Sequence, residues 1–148
     1  MKLKPVGFYR EYVSVPDLPS IRASMTQSPH EDEEQIIHFL QNGRFVLLIL
    51  AFAFDLFDSD HGVIGTDSLY SDGVWFWPHY LTSLIKRYHV RLPEEFVEHM
   101  ERSGWSPQVL PEIQWRKIFE NDNSDELDEL DNYVTTSELF DNIHSQLD

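Results

Sequence analysis

The chain of 148 residues carries 26 acidic and 11 basic side chains, a formal net charge of −15, and it contains no cysteine. A chain of this length is expected to form one domain that buries roughly two thirds of its unfolded surface without a metal or a disulfide. The missing cysteines exclude thiolate chemistry. The negative charge disfavours direct binding to nucleic acid or to anionic lipid, and it favours a basic protein partner.

The sequence predicts neither an N-terminal signal peptide nor a membrane span. Residues 1–11 include two lysines and an arginine but have no continuous apolar stretch and no small-residue cleavage site, which is not the pattern of a signal peptide. The longest apolar run, Val46 to Phe54, has nine residues, whereas a helix that crosses a bilayer needs about twenty. We therefore expect a cytoplasmic protein without membrane spans.

The first elements are a strand and two helices. The β-branched and aromatic content of Val6 to Val15 predicts a strand, and a short helical turn is predicted over Ile21 to Met25. A longer helix is predicted from His30, with a left-handed stop at Asn42-Gly43. Four acidic residues occupy its first turns: Glu31, Asp32, Glu33 and Glu34. They fit either a binding patch or a solvated helix start that matches the helix dipole.

Arg44 to Phe57 is the most apolar part of the chain. A continuous apolar run bounded by charges is typical of a strand buried on both faces, although periodicity alone does not separate it from a buried helix. The glycine at position 43 and the turn-rich residues 58–62 favour a strand. We predict that Arg44 to Phe57 is the central strand of the sheet.

An Asp-Gly pair lies between two further apolar runs. Asp72-Gly73 separates Val63 to Tyr70 from Val74 to Trp77, which predicts a β-hairpin. Because residues alternate between faces, both faces of the second strand are apolar. Its aromatic residues with the next one form a cluster: Trp75, Phe76, Trp77 and Tyr80. The cluster fits either a stacking platform or an aromatic seam in the core, with one tryptophan partly exposed.

Two amphipathic helices are predicted after the hairpin. The first follows Pro78 and has an apolar face of Tyr80, Leu81, Leu84, Ile85 and Tyr88, with Thr82, Ser83, Lys86 and Arg87 opposite. The second opens at Pro93 and stops at Gly104. A short helix over Ile113 to Phe119 is left open.

The C-terminal segment, about residues 120–148, holds much of the negative charge. From Ile118 to Asp148 there are ten acidic residues and no lysine or arginine. Ser124 fits a helix cap, and Thr135 with Glu138 fits a capping box. The segment is therefore predicted to be helical and acidic rather than low-complexity.

The motifs for catalysis and for metal binding that we considered each lack a required residue or spacing. Two stretches, residues 58–62 and 121–125, begin like calcium loops, but position twelve is Leu69 in one and Asn132 in the other. No two of the seven histidines have the three- or four-residue spacing of a helical metal site. The sequence contains neither a phosphate-binding glycine loop nor a nucleophile elbow. We therefore assign no catalytic residue, no metal ligand and no cofactor.

Two blocks of the chain carry a resemblance. Residues 71–78, with the sequence SDGVWFWP, and residues 88–96, with the sequence YHVRLPEEF, resemble a group of small, uncharacterised acidic bacterial proteins. Such proteins are often encoded near polymorphic toxins. The resemblance lies within residues 71–104, brings no catalytic motif, and implies an immunity protein.

Three hypotheses follow for an expected α+β domain whose small, mainly antiparallel sheet has helices packed chiefly on one side. The first is an immunity or antitoxin-like protein that neutralises a basic toxin domain by covering its active site. Its expected contact residues are Asp122, Asp125, Glu126, Asp128, Glu129 and Asp131, followed by Glu31, Asp32, Glu33 and Glu34. The same charge also fits a surface that serves only solubility.

The second hypothesis is a small enzyme or ligand-binding domain. Its pocket is expected near four aromatic and histidine side chains: Trp75, Trp77, His79 and His89. The third hypothesis is a mimic of nucleic-acid charge that occupies a DNA-binding protein, and it differs from the first only in the partner.

Overall fold

The structure, a computed structural model, describes residues 3–13, 15–49 and 51–120. In this part the elements are β1 (Lys4–Pro5), α1 (Ile21–Ser24), α2 (Glu33–Gln41), β2 (Arg44–Leu47), β3 (Phe52–Phe54), β4 (Val63–Thr66), β5 (Leu69–Ser71), β6 (Trp75–Pro78), α3 (Leu81–Tyr88), α4 (Glu94–Arg102) and α5 (Glu112–Glu120). Four strands form a mixed sheet in the order β1-β6-β5-β2, and β3 pairs with β4 in a two-stranded sheet. The predicted α+β class with a mainly antiparallel sheet is confirmed.

The hairpin predicted at the Asp-Gly pair is confirmed as β5–β6. Tyr70 pairs with Trp77, and the turn is closed by buried polar side chains. The Asp72 carboxylate accepts the N–H groups of residues 74 and 75 at 3.0 and 2.8 Å, and the Ser71 hydroxyl accepts the N–H of Gly73 at 2.9 Å. Because these bonds form within a few residues, the turn is dictated by local sequence.

The two tryptophans of β6 lie in the core. Trp75 and Trp77 share one face of the sheet, where Phe96 of α4 meets Trp75 with ring centroids 4.9 Å apart and Phe39 of α2 meets Trp77 at 5.8 Å. Their exposed fractions are 5% and 1%. The expected partly exposed tryptophan is therefore wrong, and the aromatic cluster is a core seam.

The strand predicted over Val6 to Val15 is wrong. In its place β1 covers only residues 4–5, and it runs parallel to β6. The N–H groups of Tyr12 and Val13 both bond to the carbonyl of Tyr9, which curls the chain into a turn. Phe8 instead covers the second face of the sheet, with its ring 5.3 Å from that of Phe76. The aromatic residues of this segment are therefore a sign of burial in the core and not of strand pairing.

The central strand predicted over Arg44 to Phe57 is also wrong. This run is divided into β2, which is an edge of the four-stranded sheet, and β3, which belongs to the other sheet. The break between them is occupied by Ser68, whose hydroxyl accepts the N–H of Ile49 at 3.2 Å and bonds to its carbonyl at 3.3 Å. The run predicted as one strand over Val63 to Tyr70 is likewise divided, into β4 and β5.

Two helix boundaries differ from prediction. Helix α2 begins at Glu33 rather than His30, and Gly43 does not adopt the left-handed conformation predicted for its stop. Gly43 is required for a different reason, since a Cβ atom there would lie 2.4 Å from the ring of Trp77. Helix α3 begins at Leu81 because Pro78 still belongs to β6.

The remaining helices agree with the sequence. Helix α4 follows Pro93 as predicted, and Gly104 beyond its end has a φ of +66°. The short helix left open over Ile113 to Phe119 exists as α5, with Trp115 and Ile118 buried. No helix in the described ranges has the length and apolarity needed to cross a membrane.

Candidate functional site

An unusual concentration of exposed apolar side chains lies on and beside β2, β3 and β4, strands that belong to two different sheets. Seven large apolar residues between positions 45 and 63 are strongly exposed: Phe45, Leu47, Leu48, Phe52, Phe54, Leu56 and Val63. Their exposed fractions run from 39% at Leu47 to 59% at Leu48. Isolated exposed hydrophobic residues are common in proteins, whereas a group of them marks a binding surface. We call these seven residues the apolar strip.

The strand pairing brings members of the apolar strip together. Phe54 lies directly opposite Val63 in the β3–β4 pair, so their side chains are neighbours on one face. At the other end the ring of Phe45 meets that of Tyr70 edge-on, at 5.7 Å between centroids. In β3 it is Ala53 that is buried, while the phenylalanines on either side are more than half exposed. This strand turns its large side chains outward, which does not serve the core of its own domain.

A buried carboxylate anchors the strip to α3. Asp55 directly follows β3, and its side chain has no solvent-exposed surface. It accepts hydrogen bonds from the Tyr88 hydroxyl at 2.6 Å, from Arg87 Nε at 2.8 Å and from the N–H groups of Phe57 and Asp58 at 2.8 and 2.9 Å. Burial opposes ionisation of Asp55, but these bonds outweigh it and hold its pKa below the ordinary value.

The same arginine ties down the connection between β3 and β4. Beyond Asp55, the Arg87 guanidinium contacts the Asp58 carboxylate at 3.1 Å and His61 Nδ1 at 3.0 Å. The Tyr12 hydroxyl donates to the carbonyl of Phe54 at 2.9 Å. The strip is therefore held in place before any partner arrives, which lowers the entropy cost of binding.

The predicted acidic contact residues fall into two groups. Asp122, Asp125, Glu126, Asp128, Glu129 and Asp131 lie outside the described residues. In the second group, Glu31 and Glu34 are exposed and Asp32 is half-buried. Glu33 is engaged within the chain, since its carboxylate lies 2.9 Å from His89 Nδ1 and its side chain is only 13% exposed. The structure thus leaves Glu31 and Glu34 as the members of this group that are open to a partner.

The predicted pocket is assembled from only part of its expected residues. A cavity of about 190 Å³ between α2, α3 and the β5–β6 hairpin is lined by Trp77 and His79. Trp75 and His89 do not line it. Its other lining residues, which the sequence did not single out for a pocket, are Leu40, Gln41, Tyr70, Thr82, Ser83 and Lys86.

Two histidines, His89 and His99, pair with carboxylates of other elements. Besides the contact between His89 and Glu33, His99 Nε2 lies 2.5 Å from the buried carboxylate of Asp72. These pairs connect α4 to the hairpin turn and α3 to α2. Across the residues described by the structure, no group of three histidine, aspartate or glutamate side chains is arranged to hold a metal ion.

No protein-family model, no curated protein and no solved structure matches this chain. The resemblance to immunity proteins therefore stays a prediction. The apolar strip and the cavity, rather than any relative, are the basis for assigning a function.

The sequence contained a signal for the apolar strip that the prediction did not use. Large and small residues alternate through Ala51, Phe52, Ala53 and Phe54. A strand buried on both faces carries large residues toward both, whereas here one face carries only alanine. The alternation indicates that the alanine face packs closely against the domain and that the phenylalanine face is available to a partner.

Proposed function

We propose that this chain is a protein-binding module that acts as an immunity protein and covers the active site of a basic toxin domain. The observation that supports the proposal is the apolar strip, whose large side chains are exposed on a surface fixed by buried hydrogen bonds. In this proposal the strip forms the centre of the interface and acidic side chains form its rim.

The composition of the surface agrees with the anatomy of protein interfaces. Interface centres are rich in aromatic residues and poor in charge, and their rims are polar. The strip contributes three phenylalanines, while Asp58 and Asp60 lie in the connection between Leu56 and Val63 and are exposed. A basic partner would gain apolar contact at the centre and opposite charge at this edge.

The net charge supports the basic character of the partner. A charge of −15 accelerates the encounter with a positively charged protein and repels acidic ones. In the proposal, Glu31 and Glu34 and the acidic residues from Asp122 to Asp131 contribute to this attraction. A nucleic-acid mimic would exploit the same charge, but it would present charge rather than phenylalanine at the centre of its contact surface.

The experiment is affinity purification from the native host with the full chain as bait. The test bait carries Phe52→Ser and Phe54→Ser, and the control bait carries Val109→Ser and Ile113→Ser, which remove exposed apolar side chains outside the strip. We expect the wild type and the control to retain the same basic protein, and the strip variant to lose it. Expression of that protein should stop growth, and co-expression of the chain should restore it.

Two results would refute the proposal. A folded strip variant that retains the partner as strongly as the wild type would show that the strip is not the interface. A captured partner that is acidic, or that is harmless when expressed, would contradict the immunity role. Six acidic residues between Asp122 and Asp131 are proposed contact residues. Changing them to the corresponding amides should slow association at low salt and leave dissociation nearly unchanged.

A further inference from the structure

The cavity between α2, α3 and the β5–β6 hairpin has one apolar wall. The indole N–H of Trp77 donates to the carbonyl of Leu40 at 3.2 Å, so the hydrogen-bonding group of this side chain is already satisfied. Trp77 therefore offers only ring surface to the cavity. Tyr70 adds a second aromatic ring, which packs at a tilt against His79 with centroids 5.8 Å apart and an angle of 30° between planes.

The opposite wall carries hydrogen-bond donors. Nδ1 of His79 accepts the N–H of Thr66 at 3.0 Å, so the neutral imidazole carries its hydrogen on Nε2 and is a donor there. Thr82 and Lys86 are four residues apart on α3 and share a face of the helix. Within the described ranges of the chain, the side chains of Thr82 and Lys86 form neither a hydrogen bond nor an ion pair.

The charge of this lining is opposite to that of the protein. No aspartate or glutamate is among the described residues that line the cavity, although the chain has 26 of them, and Lys86 contributes a positive charge. A cation would find no carboxylate here, and a purely apolar ligand would make no use of Lys86 and His79, which are exposed at the cavity. An oxyanion satisfies both groups, because charge-assisted hydrogen bonds to anions are the stronger kind.

We propose that this cavity binds a small organic anion that has a flat apolar body. The body lies against Trp77 and Tyr70, and its carboxylate or phosphate oxygens accept from Lys86, Thr82 and His79 Nε2. Ligand sites typically combine such an apolar wall with a few polar groups that fix orientation. This proposal does not depend on the immunity role, since none of the described residues that line the cavity belongs to the apolar strip.

Titrations of the isotope-labelled full chain, followed by nuclear magnetic resonance, test the proposal with three probes. Benzoate supplies both the anion and the flat body, inorganic phosphate supplies the anion alone, and benzyl alcohol supplies the body alone. We expect benzoate to shift the signals of His79, Thr82 and the Trp77 indole in a saturable way. Phosphate and benzyl alcohol should each bind more weakly than benzoate.

Two charge variants separate a site from a general effect of charge. Lys86→Gln should weaken benzoate binding by about 1.4-fold to fivefold, the range expected for a solvent-accessible ion pair. Lys117→Gln removes the same charge from α5, away from the cavity, and should leave the affinity unchanged. Thermal unfolding of both variants verifies that each is folded.

Three outcomes would overturn the proposal. The first is the absence of saturable shifts with benzoate. The second is equal weakening by Lys86→Gln and Lys117→Gln, which would mean that the protein's overall charge governs the effect. The third is equal binding of phosphate and benzoate, because the aromatic wall would then contribute nothing.

Discussion

Replacing Asp55 by asparagine tests whether the buried carboxylate fixes the end of the apolar strip. The amide keeps one oxygen for the N–H groups of Phe57 and Asp58, but it loses the charged acceptor that faces Tyr88 and Arg87. A hydrogen bond to a charged group contributes about 1.5–3 kcal/mol, so we expect the Asp55→Asn variant to lose about 2 kcal/mol of unfolding free energy at neutral pH. The Arg87 side chain is partly exposed to solvent, so its ion pair with Asp55 is not counted separately in this loss of unfolding free energy.

The loss should depend on pH in a defined direction. Because the folded pKa of Asp55 is lowered, its stabilisation is complete above the unfolded pKa of about 3.9 and disappears as the pH falls through the folded value. The variant has no such group. The difference in stability between wild type and variant should therefore shrink below about pH 4.

Urea unfolding measured by tryptophan fluorescence gives this difference, since Trp75, Trp77 and Trp115 are buried and report the loss of packing. A difference within about 0.5 kcal/mol, the range of ordinary surface substitutions, would show that the carboxylate does not anchor the apolar strip. A difference that stays constant from neutral pH into acid would show that the stabilisation comes from shape rather than charge. Tyr88→Phe combined with Asp55→Asn should cost less than the sum of the two single losses.

Three further changes test the packing. Gly43→Ala should cost about 1–3 kcal/mol of unfolding free energy, because its Cβ would lie 2.4 Å from a ring carbon of Trp77; an unchanged urea midpoint would contradict this. Ser71→Ala removes a buried hydroxyl that donates to a carbonyl at 2.7 Å and accepts the N–H of Gly73. We expect thermal unfolding to show a loss of about 1–3 kcal/mol of unfolding free energy. A loss near zero would mean that the turn closes without the hydroxyl. Burial raises the pKa of Tyr12 to about 12, so its phenolate absorbance should be missing from a titration through pH 10, and the stabilisation of its neutral form should fall as the pH rises above about 10. A Tyr12→Phe variant that loses an absorbance step at ordinary pH would refute that assignment.

The features that the sequence predicted well depend on neighbours in the chain. The turn at Asp72-Gly73 is closed by hydrogen bonds among its own side chains and backbone, so the local sequence is enough to predict the hairpin. The helix after Pro93 follows in the same way from a proline, acidic first-turn residues and a terminal glycine. Such signals hold wherever the segment lies in the fold.

The features that it predicted poorly depend on what covers a face. Phe52 and Phe54 are as apolar as Phe39, yet Phe39 is fully buried against Trp77 whereas Phe52 and Phe54 are more than half exposed. An apolar residue predicts that a position prefers burial. It does not predict which element, or which other molecule, buries that position. The strand predicted over Val6 to Val15 failed for the same reason, because Phe8, Tyr9 and Val13 are buried without forming a strand of the sheet.

The cavity shows a similar limit. Thr82 and Lys86 belong to the polar side of an amphipathic helix, a pattern typical of a solvated surface. His79 and Tyr70 come near them only because the β5–β6 hairpin folds against α3. No spacing in the sequence encodes that meeting of side chains from separate elements.

The position of β2 at the edge of its sheet gives the large negative charge a second consequence. An edge strand with exposed apolar side chains, as β2 has in Phe45 and Leu47, is a template for pairing with another copy of the chain. At neutral pH, mutual repulsion between molecules that each carry −15 keeps such edges apart. Near the isoelectric point of about 4.6 that repulsion vanishes, so acidification should turn a dispersed protein into edge-linked aggregates before the fold itself is lost.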